Sequence, residues 1–223
     1  MSWAARGKTF VRRLQGRLPL PERYHRLIDA LAPGRSFLDI GCLWKVHGAY
    51  AFRAADRGAA RVVGVDVTPA TPEFLAENAK RGDVVRFVQG DVNDPRLLDA
   101  VGRSDVVFCS GVLYHVPHPL LMLERLRALT AGTLVLGTAT VAEQRLPQSA
   151  VYLPYLDARA RAALGYATGA VKVGLDTEFD ADAGYVNWFW GFAPSAVEAM
   201  VRTAGFRVEE RYGYRRALCL VCR

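Results

Sequence analysis

Two apolar segments that each end in an acid constrain the fold of this chain more than any other feature. The first, Phe37-Leu-Asp-Ile-Gly-Cys42, runs from an apolar strand into an aspartate and a glycine turn. The second, Arg61-Val-Val-Gly-Val-Asp66, ends in another aspartate. In open α/β sheets the first turn lets the backbone approach a ligand, and the carboxylate after the second strand accepts from ribose hydroxyls. The two segments therefore predict an α/β sheet that binds a nucleoside.

The glycines that are missing narrow the class of nucleoside. A dinucleotide-binding turn has the pattern G-x-G-x-x-G, which allows a pyrophosphate to lie on the N-terminus of a helix. Here Leu43 and Lys45 stand where further glycines would fall. The pattern favours a nucleoside without a pyrophosphate, and S-adenosylmethionine is the common one.

Strand and helix patterns alternate along the chain. Strands are predicted at 36–40, 61–66, 84–89, 105–110 and 133–138, and helices at 21–32, 48–57, 72–81, 94–102 and 119–130. This alternation predicts a parallel sheet with helices on both faces. A helix at 194–204 and two strands at 206–212 and 214–222 follow, and their tight joint at Gly213 requires them to be antiparallel. We expect an α/β, Rossmann-like sheet of seven strands, five of them parallel, with a C-terminal antiparallel hairpin.

Length and composition favour one domain over residues 1–223. A chain of 223 residues with 51% hydrophobic content suits a single well-filled α/β core. Residues 1–33 are predicted to form an N-terminal helical cap, and residues 141–187 an insertion that covers the acceptor site. No apolar run reaches the ~18 residues that span a bilayer. The first residues lack the apolar core of a secretory signal, so we expect a cytoplasmic protein.

The positive charge permits an anionic partner. The net charge is +7, and much of the basic excess lies before residue 27. A basic amphipathic helix is predicted at 3–16. Packing on the domain is the favoured interpretation of this helix, and contact with a membrane surface or with nucleic acid are the alternatives.

The C-x-x-C spacing of Cys219 and Cys222 has a structural interpretation. A zinc site would need a second pair of ligands, whereas the apolar neighbours of these cysteines indicate a buried terminal strand. We therefore predict no metal site.

Four motifs in order give the chain from residue 36 onward its resemblance to class I S-adenosylmethionine-dependent methyltransferases. They are Leu38-Asp-Ile-Gly41, Val63-Gly-Val-Asp66, Val88-Gln-Gly-Asp91 and Asp105-Val-Val-Phe-Cys-Ser-Gly-Val-Leu-Tyr-His-Val-Pro117. The last motif, together with a stretch from Asn187 to Ser195, is similar to a subgroup that includes the tRNA wobble-uridine carboxymethyltransferases. The resemblance implies S-adenosylmethionine as cofactor and methyl transfer as the activity.

The resemblance also implies which residues bind the cofactor. Gly41 lets the methionine part lie against the backbone, and Asp39 receives its ammonium group. Asp66 accepts both ribose hydroxyls, and Asp91 accepts from the adenine amino group. Each acid alone could be a cap or turn residue, but three at successive strand ends favour the cofactor site. The full predicted set is Asp39, Gly41, Asp66, Val67, Asp91, Val92, Ser110 and Tyr114.

His115 is the candidate general base, because it follows the fourth strand and an unperturbed histidine has a pKa of ~6.5. The alternative is that it only orients the loop. His47 is the weaker candidate. It lies in the segment from Cys42 to Gly48, which departs from the family pattern and receives no role from relatives.

Aromatic residues of the insertion and the segment after it are candidates for the acceptor site, because rings stack on sugars and bases. The predicted substrate-binding residues are Tyr185, Asn187, Trp188 and Trp190. The leading hypothesis is methyl transfer to oxygen or nitrogen of a small molecule or glycan. A tRNA-modifying methyl- or carboxymethyltransferase, with nucleic acid as the less favoured partner, and a non-catalytic cofactor-binding protein are the alternatives.

Overall fold

The computed structural model describes residues 19–164, 178–214 and 216–223. The predicted basic helix at 3–16 lies outside the described residues. So does Tyr166, one of the aromatic residues of the insertion.

A mixed sheet of seven strands forms the centre of the fold, in the order β3-β2-β1-β4-β5-β9-β8. Strands β1 to β5 are parallel, and β9 pairs antiparallel with both β5 and β8. The predicted seven-stranded fold is confirmed. The strands of this sheet are β1 Ser36–Ile40, β2 Arg61–Asp66, β3 Val85–Gln89, β4 Ser104–Ser110, β5 Thr130–Ala139, β8 Val208–Tyr214 and β9 Ala217–Cys222.

The described helices follow the apolar periodicity and the proline positions of the sequence. Three of them begin at Pro72, Pro119 and Pro194. At the first position of a helix a backbone N–H has no intrahelical partner, so a proline there costs no hydrogen bond. The helices are α1 Leu20–Leu31, α2 Ala49–Asp56, α3 Pro72–Lys80, α4 Leu97–Val101, α5 Pro119–Leu129, α6 Ala158–Ala163 and α7 Pro194–Thr203, with 3-10 turns at Leu113–His115 and Ala181–Val186. None of the helices in the described ranges is long and apolar enough to cross a membrane.

Helices cover both faces of the sheet, and the alternating side chains of β1 show how. Leu38 and Ile40 pack into a core shared with α4, α5 and α7. Phe37 packs into a second core shared with α1, α2 and α3. Because neighbouring residues of a strand point to opposite faces, Asp39 lies on the same side as Phe37.

A second, two-stranded sheet was not predicted. β6 Ala150–Tyr152 from the insertion pairs antiparallel with β7 Trp190–Phe192. Leu153, which follows β6, and Trp188, which precedes β7, are buried together in one small apolar cluster. The insertion is thereby joined to the segment after it.

The C-terminal turn corrects the predicted joint at Gly213. Gly213 lies inside β8 and pairs with Leu218, and Tyr214 pairs with Ala217 across the turn. All four cysteines are free and buried, Cys219 and Cys222 among them. Burial raises the pKa of these two thiols to about 12, so they pack as apolar residues at neutral pH.

Candidate active site

The three predicted strand-end acids lie at the same edge of the sheet. Asp39 belongs to β1, Asp66 ends β2, and Asp91 follows β3 after one glycine. These strands are parallel neighbours in the order β3-β2-β1, so their carboxyl ends meet at one edge. The sheet therefore brings together acids that are up to 52 positions apart in sequence, from 39 to 91.

Asp39 is a buried carboxyl with an unsatisfied oxygen. Its exposed fraction is 1%, and its Oδ2 has no hydrogen-bond partner. Burial, opposed by a hydrogen bond from the Ala51 N–H and assisted by the neighbouring Asp66 carboxylate, raises the pKa of Asp39 to about 8. A buried carboxyl in this state favours a cationic group beside it, because such a group would stabilise the ionised form.

Asp66 holds the loop that follows β1. Its Oδ2 accepts from the Leu43 N–H at 2.9 Å, and its Oδ1 accepts from the Thr68 N–H at 3.1 Å and the Thr68 hydroxyl at 2.9 Å. The carboxylate therefore has the turn-residue role considered for it, and Oδ2 keeps a free lone pair. Val67, the next residue, leaves 40% of its surface exposed at the strand end.

The loop from Gly41 to Gly48 follows an irregular path. Gly41 has a φ of +76°, and a Cβ there would lie 2.3 Å from Val112 Cγ2. Lys45 and His47 also have positive φ angles, of 60° and 45°. Few L-residues adopt this region, so Lys45 and His47 have unusual backbone conformations for residues with side chains.

The structure places His47 away from the turn that carries His115. The Nδ1 atom of His47 lies 3.1 Å from Thr71 Oγ1 and 3.7 Å from Glu73 Oε2, at the start of α3. That helix follows β2, whereas His115 follows β4 on the other side of β1. The loop directs the His47 ring towards α3, so the two candidate bases lie on different elements, and the role of His47 as a base stays a prediction.

Asp91 accepts a hydrogen bond from a residue of the insertion. Its Oδ1 accepts from the Asn93 N–H at 2.8 Å, and its Oδ2 accepts from the Tyr185 hydroxyl at 2.5 Å. The Val92 side chain is buried in the core beside Leu97. Tyr185 therefore lies beside Asp91 at the end of β3, and its contact with the acceptor stays a prediction.

The 3-10 turn after β4 holds His115 in a defined orientation. His115 Nδ1 lies 2.8 Å from the backbone oxygen of Asn187. Since a carbonyl only accepts, Nδ1 carries the proton and donates, which leaves Nε2 as the basic nitrogen of the neutral ring. Burial lowers the pKa of His115, and the hydrogen bond to Asn187 opposes that change. The neutral imidazole is therefore favoured at neutral pH.

The aromatic residues after the insertion pack on the same turn. The Trp188 ring packs against the Tyr114 ring with centres 4.0 Å apart and planes tilted by 35°, and the Phe189 N–H donates to the Tyr114 carbonyl at 2.8 Å. Trp190 Nε1 donates to the Pro117 carbonyl at 3.2 Å. These contacts cover the end of β4 with rings.

The side chain of Asn187 forms its hydrogen bonds within its own loop. The amide nitrogen donates to the carbonyls of Asp180 and Gly184, and the amide oxygen accepts from the Asp180 N–H. Its contact with the candidate base is made by its backbone oxygen. Asn187 therefore supports His115 through its backbone oxygen, and its contact with the acceptor stays a prediction.

Tyr24 of α1 is a residue of this region that sequence reasoning missed. Its exposed fraction is 4%. Its hydroxyl lies so close to Gly137 that a Cβ added there would be only 2.0 Å from the hydroxyl oxygen. Burial raises the pKa of Tyr24, and a hydrogen bond with Ser110 opposes the rise. The signal available in the sequence was its place on the buried stripe of α1 with Leu20 and Ile28, at helical spacing.

The family comparison covers the strands just described. Residues 38–136 match the family model described as "Methyltransferase domain". This span begins in β1 and ends in β5, so it includes the three strand-end acids and the turn with His115.

Two curated relatives match part of the chain. The tRNA U34 carboxymethyltransferase of Alteromonas mediterranea is 32% identical over 128 residues, which are 51% of this chain and 37% of the relative. The ubiquinone biosynthesis O-methyltransferase of Haemophilus ducreyi is 31% identical over 112 residues, which are 48% of this chain and 46% of the relative. The match therefore spans less than half the length of either relative.

Solved structures share the fold. The 1,6-didemethyltoxoflavin-N1-methyltransferase of Burkholderia thailandensis, solved with 1,6-didemethyltoxoflavin and S-adenosylhomocysteine, has a TM-score of 0.61 at 20% identity. The likeness covers 90% of this chain and 77% of that one. At this identity it shows the fold alone. The matched family model and the shared fold confirm the resemblance drawn from the motifs: this chain contains a class I S-adenosylmethionine-dependent methyltransferase domain.

Proposed function

We propose that this protein transfers a methyl group from S-adenosylmethionine to an oxygen or nitrogen of a small-molecule or glycan acceptor. The observation that carries the proposal is the buried carboxyl of Asp39, whose Oδ2 has no partner. The ammonium group of the cofactor's methionine part supplies the cation that such a carboxyl favours.

The other strand-end residues fit the rest of the cofactor. Asp66 keeps a lone pair on Oδ2 for a ribose hydroxyl, and the exposed side chain of Val67 offers an apolar contact to a ring. Asp91 and the Val92 amide are assigned to adenine. Ser110, the last residue of β4, and Tyr114, in the turn after it, complete the set at the reactive end. The 1,6-didemethyltoxoflavin-N1-methyltransferase of Burkholderia thailandensis, which was solved with S-adenosylhomocysteine and shares this fold, supports S-adenosylmethionine as the cofactor.

When bound, the cofactor supplies an electrophilic methyl group, so the protein needs mainly to align the acceptor and exclude water. His115 is proposed to take the proton from an acceptor hydroxyl through Nε2, because its Nδ1 is committed to the Asn187 carbonyl. Trp188 and Trp190 pack over the same turn and limit the entry of water.

Calorimetry with S-adenosylhomocysteine tests the cofactor assignment. The wild-type protein is expected to bind, and Asp39→Asn to bind about 10- to 100-fold more weakly, since a hydrogen bond to a charged group is lost. Asp99→Asn, which removes an exposed carboxylate of α4, is the matched control and is expected to bind like the wild type. The absence of any binding to the wild type at high micromolar ligand would refute the proposal.

Modification of tRNA is the second candidate function. The curated tRNA U34 carboxymethyltransferases favour it, as does the net charge of +7. A nucleic-acid-binding protein loses affinity steeply as salt rises, because bound cations are released from the phosphates. Titration of labelled tRNA at two salt concentrations separates the candidates: no binding at low salt excludes this one.

Turnover distinguishes both candidates from a cofactor-binding protein without activity. A panel of small-molecule, glycan and tRNA acceptors, assayed with methyl-labelled S-adenosylmethionine, is expected to yield at least one labelled product. Cofactor binding without turnover across the panel would favour the non-catalytic alternative.

A further inference from the structure

One hydrogen bond joins the insertion to the end of β3. The Tyr185 hydroxyl donates to Asp91 Oδ2 across a sequence separation of 94 residues. The other oxygen, Oδ1, accepts from the Asn93 N–H at 2.8 Å. Both oxygens of Asp91 are therefore held, and this holds the plane of the carboxylate.

The position of Tyr185 is itself well supported. The chain turns sharply at Gly184, which has a φ of 51° and a ψ of −128°. The Asn187 side chain bonds to the carbonyls of Gly184 and Asp180, on both sides of the turn. The Tyr185 ring packs against the core that contains Val92. The segment that carries Tyr185 is therefore held by several contacts, and these fix the position from which the hydroxyl donates to Asp91.

The protonation state of Tyr185 suits the contact. Burial raises the pKa of Tyr185, and the neighbouring Asp91 carboxylate raises it further. The phenol therefore stays protonated at neutral pH and acts as a donor to the carboxylate.

We infer that Tyr185 is a positioning residue for the adenine end of the cofactor site, where its hydroxyl orients the Asp91 carboxylate that accepts from the adenine amino group. The inference rests on the proposed function. Each carboxylate oxygen has two lone pairs, so the bonds from Tyr185 and Asn93 leave one on each oxygen for a ligand. An acceptor that is already oriented loses less freedom when a ligand binds, and it therefore binds more tightly.

Two ligands that differ in one group isolate this effect. S-adenosylhomocysteine has the amino group on its base, whereas S-inosylhomocysteine has an oxo group in its place. Tyr185→Phe is expected to weaken S-adenosylhomocysteine about 10-fold in calorimetry and to change S-inosylhomocysteine less than about twofold, because only the first ligand donates to Asp91.

Tyr212→Phe is the matched control, since the Tyr212 hydroxyl bonds to the carboxylate of Glu210 in β8. It removes the same kind of contact away from the strand-end acids and is expected to change neither affinity. Asp91→Asn is the second variant, should Tyr185→Phe melt at a much lower temperature than the wild type. Asparagine keeps an amide oxygen that can accept from the adenine amino group, so Asp91→Asn is paired with Asp91→Ala, which removes every acceptor. Asp91→Ala is expected to erase the preference for S-adenosylhomocysteine over S-inosylhomocysteine.

Three results would overturn the inference. Equal losses of affinity for the two ligands in Tyr185→Phe would show that Tyr185 has only a structural role. Tighter binding of S-adenosylhomocysteine by that variant would mean that the hydroxyl competes with adenine. An unchanged preference in Asp91→Ala would remove Asp91 from the adenine site. Failure of the wild type to bind either ligand would instead refute the proposed function.

Discussion

Replacing Asp39 by asparagine tests the electrostatics of the site through stability, without any ligand. Asp39 is 1% exposed, and burial is the main cause that raises its pKa from 3.8 to about 8. Between these two values the folded protein holds a proton on Asp39 that the unfolded chain has released. The free energy of unfolding of the wild type therefore falls as pH rises through this window, because the folded state binds more protons.

The size of the fall follows from the same shift. One bound proton changes the free energy of unfolding by about 1.4 kcal/mol per pH unit. From about pH 5 to about pH 8 the wild type is expected to lose about 4 kcal/mol relative to Asp39→Asn, which has no proton to release. Asparagine has nearly the shape of the protonated carboxyl, so packing changes little between the two proteins.

Urea unfolding monitored by tryptophan fluorescence at pH 5, 6, 7 and 8 measures the difference. The control is Asp99→Asn, an exposed position in α4, and its stability is expected to run parallel to that of the wild type. Titration of other groups cancels in the comparison of wild type with Asp39→Asn. Parallel curves for these two proteins, within about 0.5 kcal/mol across the range, would show that Asp39 titrates normally and would refute the reasoning.

Three further outcomes are expected. Gly41→Ala is expected to lose about 3 kcal/mol in urea unfolding, because its Cβ would lie 2.3 Å from Val112 Cγ2 at a φ of +76°; Val112→Ala should recover only the packing part, and full recovery would show that φ costs nothing. The His115 ring is expected to titrate below pH 6.5 in NMR with its proton on Nδ1, and a midpoint above 6.5 or the other tautomer would contradict its position. Gly137→Ala is expected to lower the melting temperature by several degrees, because its Cβ would lie 2.0 Å from the Tyr24 hydroxyl; melting like the wild type would mean that Tyr24 does not lie against β5.

The elements that were predicted best are those with a strong local pattern. The bounds of β1 and β2 agree with the predicted 36–40 and 61–66, because fully buried parallel strands are continuous apolar runs bounded by turn residues. The C-terminal hairpin was predicted with its turn at the wrong place. Gly213 lies inside β8, and the sequence between Tyr214 and Ala217 consists of two arginines, which are not typical turn residues.

The acids of the candidate site were predictable, but their contacts were not. Strand ends that carry Asp39, Asp66 and Asp91 follow from the element pattern, because parallel strands place their carboxyl ends at one edge. The bond of Tyr185 to Asp91 crosses 94 positions of sequence. The hydrophobic periodicity of the sequence cannot predict such a contact, since the contact depends on how the insertion packs over the sheet.

The order of strands and helices, the seven-stranded sheet and the acids at its edge could be predicted from sequence, because they follow from local hydrophobic patterns and from the geometry of parallel strands. The contacts between distant side chains became visible in the folded structure: Tyr185 with Asp91, the Asn187 carbonyl with His115, and the buried hydroxyl of Tyr24 with β5. These contacts depend on packing in three dimensions, because desolvation and hydrogen bonding act between segments that are far apart in sequence. That packing leaves Asp39 buried and lacking a partner for one oxygen.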